Sequence, residues 1–167
     1  MTKQQSINSY KNKGYIKITN NLSGIYTDVL VKGSTVVRIG DDPGYPHFAR
    51  LIVSAGSGLK NVVKIFLHSE PLGIVNDLNI NGEYSITETE LLTAMSQQES
   101  NNYHAWASTA LNEISQGIKP ATDPFSLVHD IDILFVYARK NNLHIDLVNS
   151  KNVMKRGNDF IILDPFF

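Results

Sequence analysis

The hydrophobic period of this chain changes partway along, and that change limits the fold more than any other feature. From Gly14 the apolar residues alternate: Ile16 and Ile18 fall on one face of a strand, with Tyr15, Lys17 and Thr19 on the other. Residues 25–31, rich in β-branched side chains, form a second strand, and 35–39 a third, across a turn at Lys32, Gly33 and Ser34. After a turn at 41–44, residues 47–55 carry apolar side chains at helical spacing, and Gly56 and Gly58 stop that helix. Strands are expected at 61–68 and 83–88, with a hairpin-type loop at 71–82 between them. Beyond Glu90 the period becomes helical. Leu91, Leu92 and Met95 begin it, 97–102 is a polar break, a helix runs through Tyr103, Trp106, Ala110 and Ile114, and a long apolar helix spans 126–141. The end returns to short strands at 143–146, 152–155 and 159–163. A strand-rich half followed by a helical half is an α+β layout, an N-terminal antiparallel sheet with one helix and then helices ending in a β-hairpin. Residues 1–13 are polar and rich in Lys, Asn and Gln, which predicts a flexible arm ahead of a single domain at 14–167, divided internally at 89/90.

Composition narrows the class. The 167 residues suit one domain with a sizeable core, and 42% are hydrophobic. Fifteen basic against sixteen acidic residues leave no electrostatic footprint for nucleic acid or an anionic membrane. Cysteine is absent, which removes disulfides, thiolate metal sites and cysteine nucleophiles and favours a cytoplasmic setting. The N-terminus lacks the apolar core of a signal peptide, and no apolar run approaches the roughly 20 residues of a membrane span, so export and insertion are not expected.

Chemistry is concentrated near the C-terminus. Asp146 follows a short apolar segment and opens a polar loop, Asn152 closes that loop before a strand, Gly157-Asn158 is a hairpin turn, and Asp164 ends the return strand. In such a hairpin Asn152 and Asp164 come to the same open end, near Asp146. Two carboxylates and an amide oxygen there would make a hard-oxygen cluster suited to magnesium held together with substrate phosphates. Turn capping is the plainer use of Asp146 and Asn152 taken singly.

This stretch resembles the catalytic loop and metal-binding segment of protein kinases. Leu143-His144-Ile145-Asp146 stands at the family's His-Arg-Asp, Asn152 at its metal-ligating Asn, and Asp164-Pro165-Phe166 at its Asp-Phe-Gly. The form with Asp-Pro is most similar to small kinase-like proteins of bacteriophages and bacteria. The resemblance implies a minimal kinase-like fold in a (host) cytoplasm, with ATP and Mg2+ as cofactors, Asp146 as the base, and Asn152 and Asp164 on the metal. In the N-terminal half it places Gly24 and Tyr26 in a glycine-rich loop, Val29 over the adenine, Arg38 at the ATP lysine with Lys32 as the displaced alternative, and Glu88 at the strand leading to the hinge.

The chain departs from the family at several places. The loop from Asp146 to Asn152 is one residue longer than usual, arginine replaces lysine at 38, the helix at 46–58 has no acidic residue, and one glycine remains in the loop around Gly24. The sequence runs three residues past Asp164, so no activation segment or peptide platform is expected. These features point to a degenerate kinase or pseudokinase that binds and modulates a partner protein. An active minimal Ser/Thr kinase and an unrelated interaction module are the alternatives. Apolar helix surface left open by a shortened lobe implies a homodimer or hetero-complex.

Other conspicuous residues have structural explanations. The five histidines show no metal-site spacing, and for His144 the kinase resemblance implies a role in bracing the loop. Trp106 and Tyr103 are assigned to helix packing. His129, Asp130 and Asp132 read as a solvated face or as charge compensation at a helix start. Phe160, Phe166 and Phe167 make an aromatic terminus that packs inward or docks on a partner.

Overall fold

The computed structural model describes residues 1–18, 27–70 and 84–167. The fold is α+β, and the chain divides into two compact units: Met1–Val53 with Lys64–Leu91, and Ser54–Val63 with Leu92–Phe167.

The first unit is a five-stranded antiparallel sheet. Its strands are β1 (Ile16–Ile18), β2 (Thr27–Lys32), β3 (Thr35–Gly40), β4 (Ile65–Ser69) and β5 (Ser85–Glu90), in the order β1-β2-β3-β5-β4. Gly33 takes a positive φ of 55° in the tight turn that pairs Lys32 with Thr35. Gly40 is required for a different reason: opposite Thr27, a Cβ there would lie 2.5 Å from the Thr27 hydroxyl.

Residues expected to be a loose arm instead form helix α1 (Lys3–Asn12). Thr2 and Gln5 close a reciprocal capping box at its start, and Ile7 and Tyr10 are buried with Leu30, Val37, Ile39, Tyr84 and Ile86 in one cluster. Two apolar residues three apart are enough to seat an otherwise polar helix. Helix α2 (Tyr45–Val53) covers the other face, since Tyr45 stacks on Arg38 whereas Tyr10 of α1 bonds Glu88, and those two residues face opposite ways. Arg50 of α2 pairs with Glu70 at 3.1 Å, and Glu70 also accepts from His68 at 2.8 Å. Burial keeps His68 below its usual pKa, so the neutral ring donates from Nε2 to Glu70 and accepts at Nδ1 from Thr87 on β5.

In the second unit, helices α3 (Gln97–Ser115) and α4 (Val128–Asn141) pack together, and β6 (Val153–Arg156) and β7 (Asp159–Ile162) form the terminal hairpin. Two expectations are corrected here. The helical start at 91–95 is extended, because Thr93 exchanges main-chain bonds of 2.9 and 2.7 Å with Lys155. The supposed break at 97–102 is the first turn of α3, opened by a capping box between Ser96 and Glu99. Tyr103, Trp106, Phe125 and Phe160 form an aromatic stack, with Phe125 edge-on to Phe160 at 4.8 Å.

Asp130 is not on a solvated face. It is 1% exposed, and its carboxylate accepts from the backbone N–H groups of Lys60 (3.1 and 3.2 Å) and Asn61 (2.5 Å). The acid ties the 54–63 segment to α4, and three backbone contacts satisfy a charge that burial alone would forbid. Among the described residues no helix is long and apolar enough to cross a membrane.

Candidate functional site: a polar junction at Asp146, Asn152 and Asp164

The junction begins where α4 ends. Asn142 takes the left-handed conformation (φ 56°), and the chain turns into an extended run that pairs Ile145 antiparallel with Phe166. His144 and Phe167 exchange both main-chain bonds, at 3.3 and 3.1 Å, and their rings stack. Of the C-terminal aromatics, Phe166 is buried against Tyr137 and Phe167 is 65% exposed. One step further along, Asp146 N–H donates to the Pro165 carbonyl at 2.9 Å.

The loop then closes on itself. Asn149 accepts at its side chain from Lys151 N–H, and residues Ser150–Asn152 make a single 3₁₀ turn into β6. The Tyr103 hydroxyl, buried in α3, holds the Leu147 carbonyl at 2.6 Å. Burial, helped by the nearby Asp146 charge, raises that phenol well above its usual pKa, so it remains a donor.

Side-chain bonds join Asn152 to Asp146, and main-chain bonds hold the residues on either side of Asp164 beside them. Asn152 Nδ2 donates to the Asp146 carbonyl at 2.6 Å and to the Asp146 carboxylate at 3.2 Å. Leu163 N–H donates to the Asn152 carbonyl at 2.8 Å. With Asp146 N–H on Pro165, Asp164 is clamped between a residue bonded to Asn152 and one bonded to Asp146. The two ends of the 146–152 loop are therefore held together.

The side chains at this junction offer oxygens of the kind a hard cation takes. Asn152 commits its nitrogen to Asp146, so its Oδ1 is the end left for a ligand, and Oδ1 has no hydrogen bond among the described residues. Asp146 accepts through Oδ2 from Asn152 and, at 3.5 Å, from Asn149, which leaves Oδ1 open. Asp164 is half-buried, with its Oδ1 shielded from solvent. Among the described residues no group of three or more His, Asp or Glu side chains is gathered as a metal cage.

The residues assigned to the nucleotide in the first unit are arranged differently. Gly24 and Tyr26 lie outside the described residues. Val29 and Arg38 are cross-strand partners on one face of the sheet. Arg38 stacks its guanidinium 3.8 Å from the Tyr45 ring centre and lies 4.0 Å from Asp42. Lys32 donates to the Lys13 carbonyl at 2.6 Å. Glu88 faces the opposite side, where it accepts from Tyr10 at 2.7 Å, and its main chain sits between β3 and β4. The structure therefore places Val29 and Arg38 side by side and sends the Glu88 side chain away from them.

Sequence reasoning missed Asp130, although a signal was present. Leu127, Asp130, Ile131, Leu134 and Ala138 share one helical stripe, and an acid inside an apolar stripe marks a buried carboxylate with a partner. No known family's sequence profile matches the chain, and no curated protein matches it.

Proposed function

We propose that the chain is a kinase-like protein, a degenerate kinase or pseudokinase that binds and modulates a partner protein, and that its junction holds Mg2+ together with nucleotide phosphates. The observation that carries this reading is the hydrogen-bond circuit joining Asp146, Asn152 and the residues flanking Asp164. It holds the Asn152 side chain against Asp146, brings the main chain on either side of Asp164 to the same place, and leaves Oδ1 of Asn152 for a cation. The magnesium would supply charge neutralisation for the phosphates, and Asn152 and Asp164 would hold it.

The first unit supports the degenerate form of this reading. Arg38 stands at the position assigned to the ATP lysine, and its guanidinium is engaged with Tyr45 and Asp42. A planar stacked fork does not replace a mobile ammonium. The helix after β3 has no acid to pair with such a lysine, and its Arg50 pairs with Glu70 instead. One observation favours the alternative of an active Ser/Thr kinase: Asp146 Oδ1 is open, as a base accepting a hydroxyl proton requires.

The test is calorimetric titration with ATP, with and without magnesium, on wild type and on Asp164→Ala. The proposal expects magnesium-dependent binding that the substitution abolishes. Absence of binding at millimolar ATP would remove the nucleotide from the account.

A further inference from the structure

The antiparallel pairing of Ile145 with Phe166 defines which main-chain groups should meet on either side of it. On one side the ladder is complete, with His144 and Phe167 exchanging both bonds. On the other side residues 146 and 165 should do the same. Asp146 N–H does reach the Pro165 carbonyl at 2.9 Å, but the return bond is impossible because residue 165 is proline and has no N–H. The Asp146 carbonyl would be left without its ladder donor. It is met by the side chain of Asn152, whose Nδ2 lies 2.6 Å away and is its one hydrogen-bond donor among the described residues.

We infer that Pro165 is a positioning residue: by withholding a backbone N–H it reserves the Asp146 carbonyl for Asn152, and so fixes Asn152 with its nitrogen inward and its Oδ1 outward. An asparagine amide is close to symmetric in shape, so its orientation is set by its hydrogen-bond partners alone. A carbonyl and a carboxylate, both pure acceptors, demand the nitrogen at this place, and the oxygen is left for a ligand. A residue with an N–H at 165 would offer the carbonyl a second donor, fixed by the ladder, and weaken the hold on Asn152. The effect on a metal rests on the proposed magnesium site, whereas the effect on Asn152 does not.

The experiment compares wild type, Pro165→Ala, and a chain with N-methylalanine at position 165, which also lacks the N–H. The first readout is the Asn152 side-chain amide by NMR, without metal or nucleotide. Wild type and the N-methyl chain should show one shifted, slowly exchanging Nδ2 pair, and Pro165→Ala should move it toward solvent-like shifts with at least tenfold faster exchange. An Nδ2 pair unchanged in Pro165→Ala would overturn the inference. So would a pair lost equally in the N-methyl chain, since proline's shape would then be responsible. The second readout is magnesium-dependent ATP affinity, expected to weaken several-fold in Pro165→Ala only. If the Asn152 amide is released and affinity is unchanged, the positioning role stands and the magnesium reading fails.

Discussion

The side-chain amide of Asn152 is bonded twice to Asp146, at its carbonyl (2.6 Å) and at its carboxylate (3.2 Å), across a six-residue separation. This contact closes the polar loop into a ring and sets which atom of Asn152 is left unbonded. Asn152→Ala leaves the Asp146 carbonyl without a donor, a loss of about 1–2 kcal/mol for a part-buried group. Urea denaturation should show that loss, and metal-dependent nucleotide binding should disappear with it. Asn152→Asp should be worse for stability in the absence of metal, because it sets a second carboxylate against Asp146, and added Mg2+ should recover part of the difference.

Asp130 predicts a larger effect far from any ligand chemistry. Its buried carboxylate satisfies the N–H groups of Lys60 and Asn61. Asp130→Ala orphans both and should cost about 2–4 kcal/mol. Asp130→Asn keeps the shape and one acceptor oxygen, so it should fall between alanine and wild type. Hydrogen exchange at the amides of Lys60 and Asn61 should accelerate in both variants.

Glu99 gives the chain a defined acid sensitivity. The hydrogen bond from Lys155, followed by those from the Ser96 backbone and hydroxyl, holds its carboxyl at about 2. A carboxyl depressed in the folded state contributes stability fully above its unfolded pKa and loses it as pH falls through the folded value. The contribution should therefore fade between about pH 4.5 and about pH 2, with fraying at the start of α3. Lys155→Met should move the Glu99 titration, followed by carboxyl NMR, back toward the ordinary range.

Arg38 and Tyr45 form a stacked pair that is largely withdrawn from solvent. Arg38→Lys retains the charge and loses the planar contact, so it should destabilise the protein by about 1 kcal/mol. A lysine engaged with phosphate would behave differently, since ATP would then offset the loss. The degenerate-kinase account expects no phosphotransfer to a protein substrate from either form, measured with labelled ATP.

Much of this was legible in the sequence where period and turn chemistry agree. The β2–β3 turn at Gly33, the apolar stripe of α4 and the hairpin at Gly157-Asn158 all carry local signals that packing reinforces. Polar helices were harder. Both α1 and the first turn of α3 lack an apolar stripe and are announced by capping boxes, Thr2 with Gln5 and Ser96 with Glu99. Leu91, Leu92 and Met95 have helical spacing, but Thr93 pairs with Lys155, a partner 62 residues away that no local pattern reveals. At the junction, the order Asp146, Asn152, Asp164 was readable, while the direction of the Asn152 amide was not, because it depends on a ladder bond that Pro165 omits.

The most direct test of the junction is a Mn2+ titration followed by NMR, with the ion standing in for magnesium. The account predicts that at substoichiometric Mn2+ and saturating ATP the amide signals of Asp146, Asn152, Leu163 and Asp164 broaden first. Excess Mg2+ should restore them, and Asn152→Ala should not show the effect. Broadening confined to other acidic positions such as Asp28 and Asp41, or none at all, would contradict it.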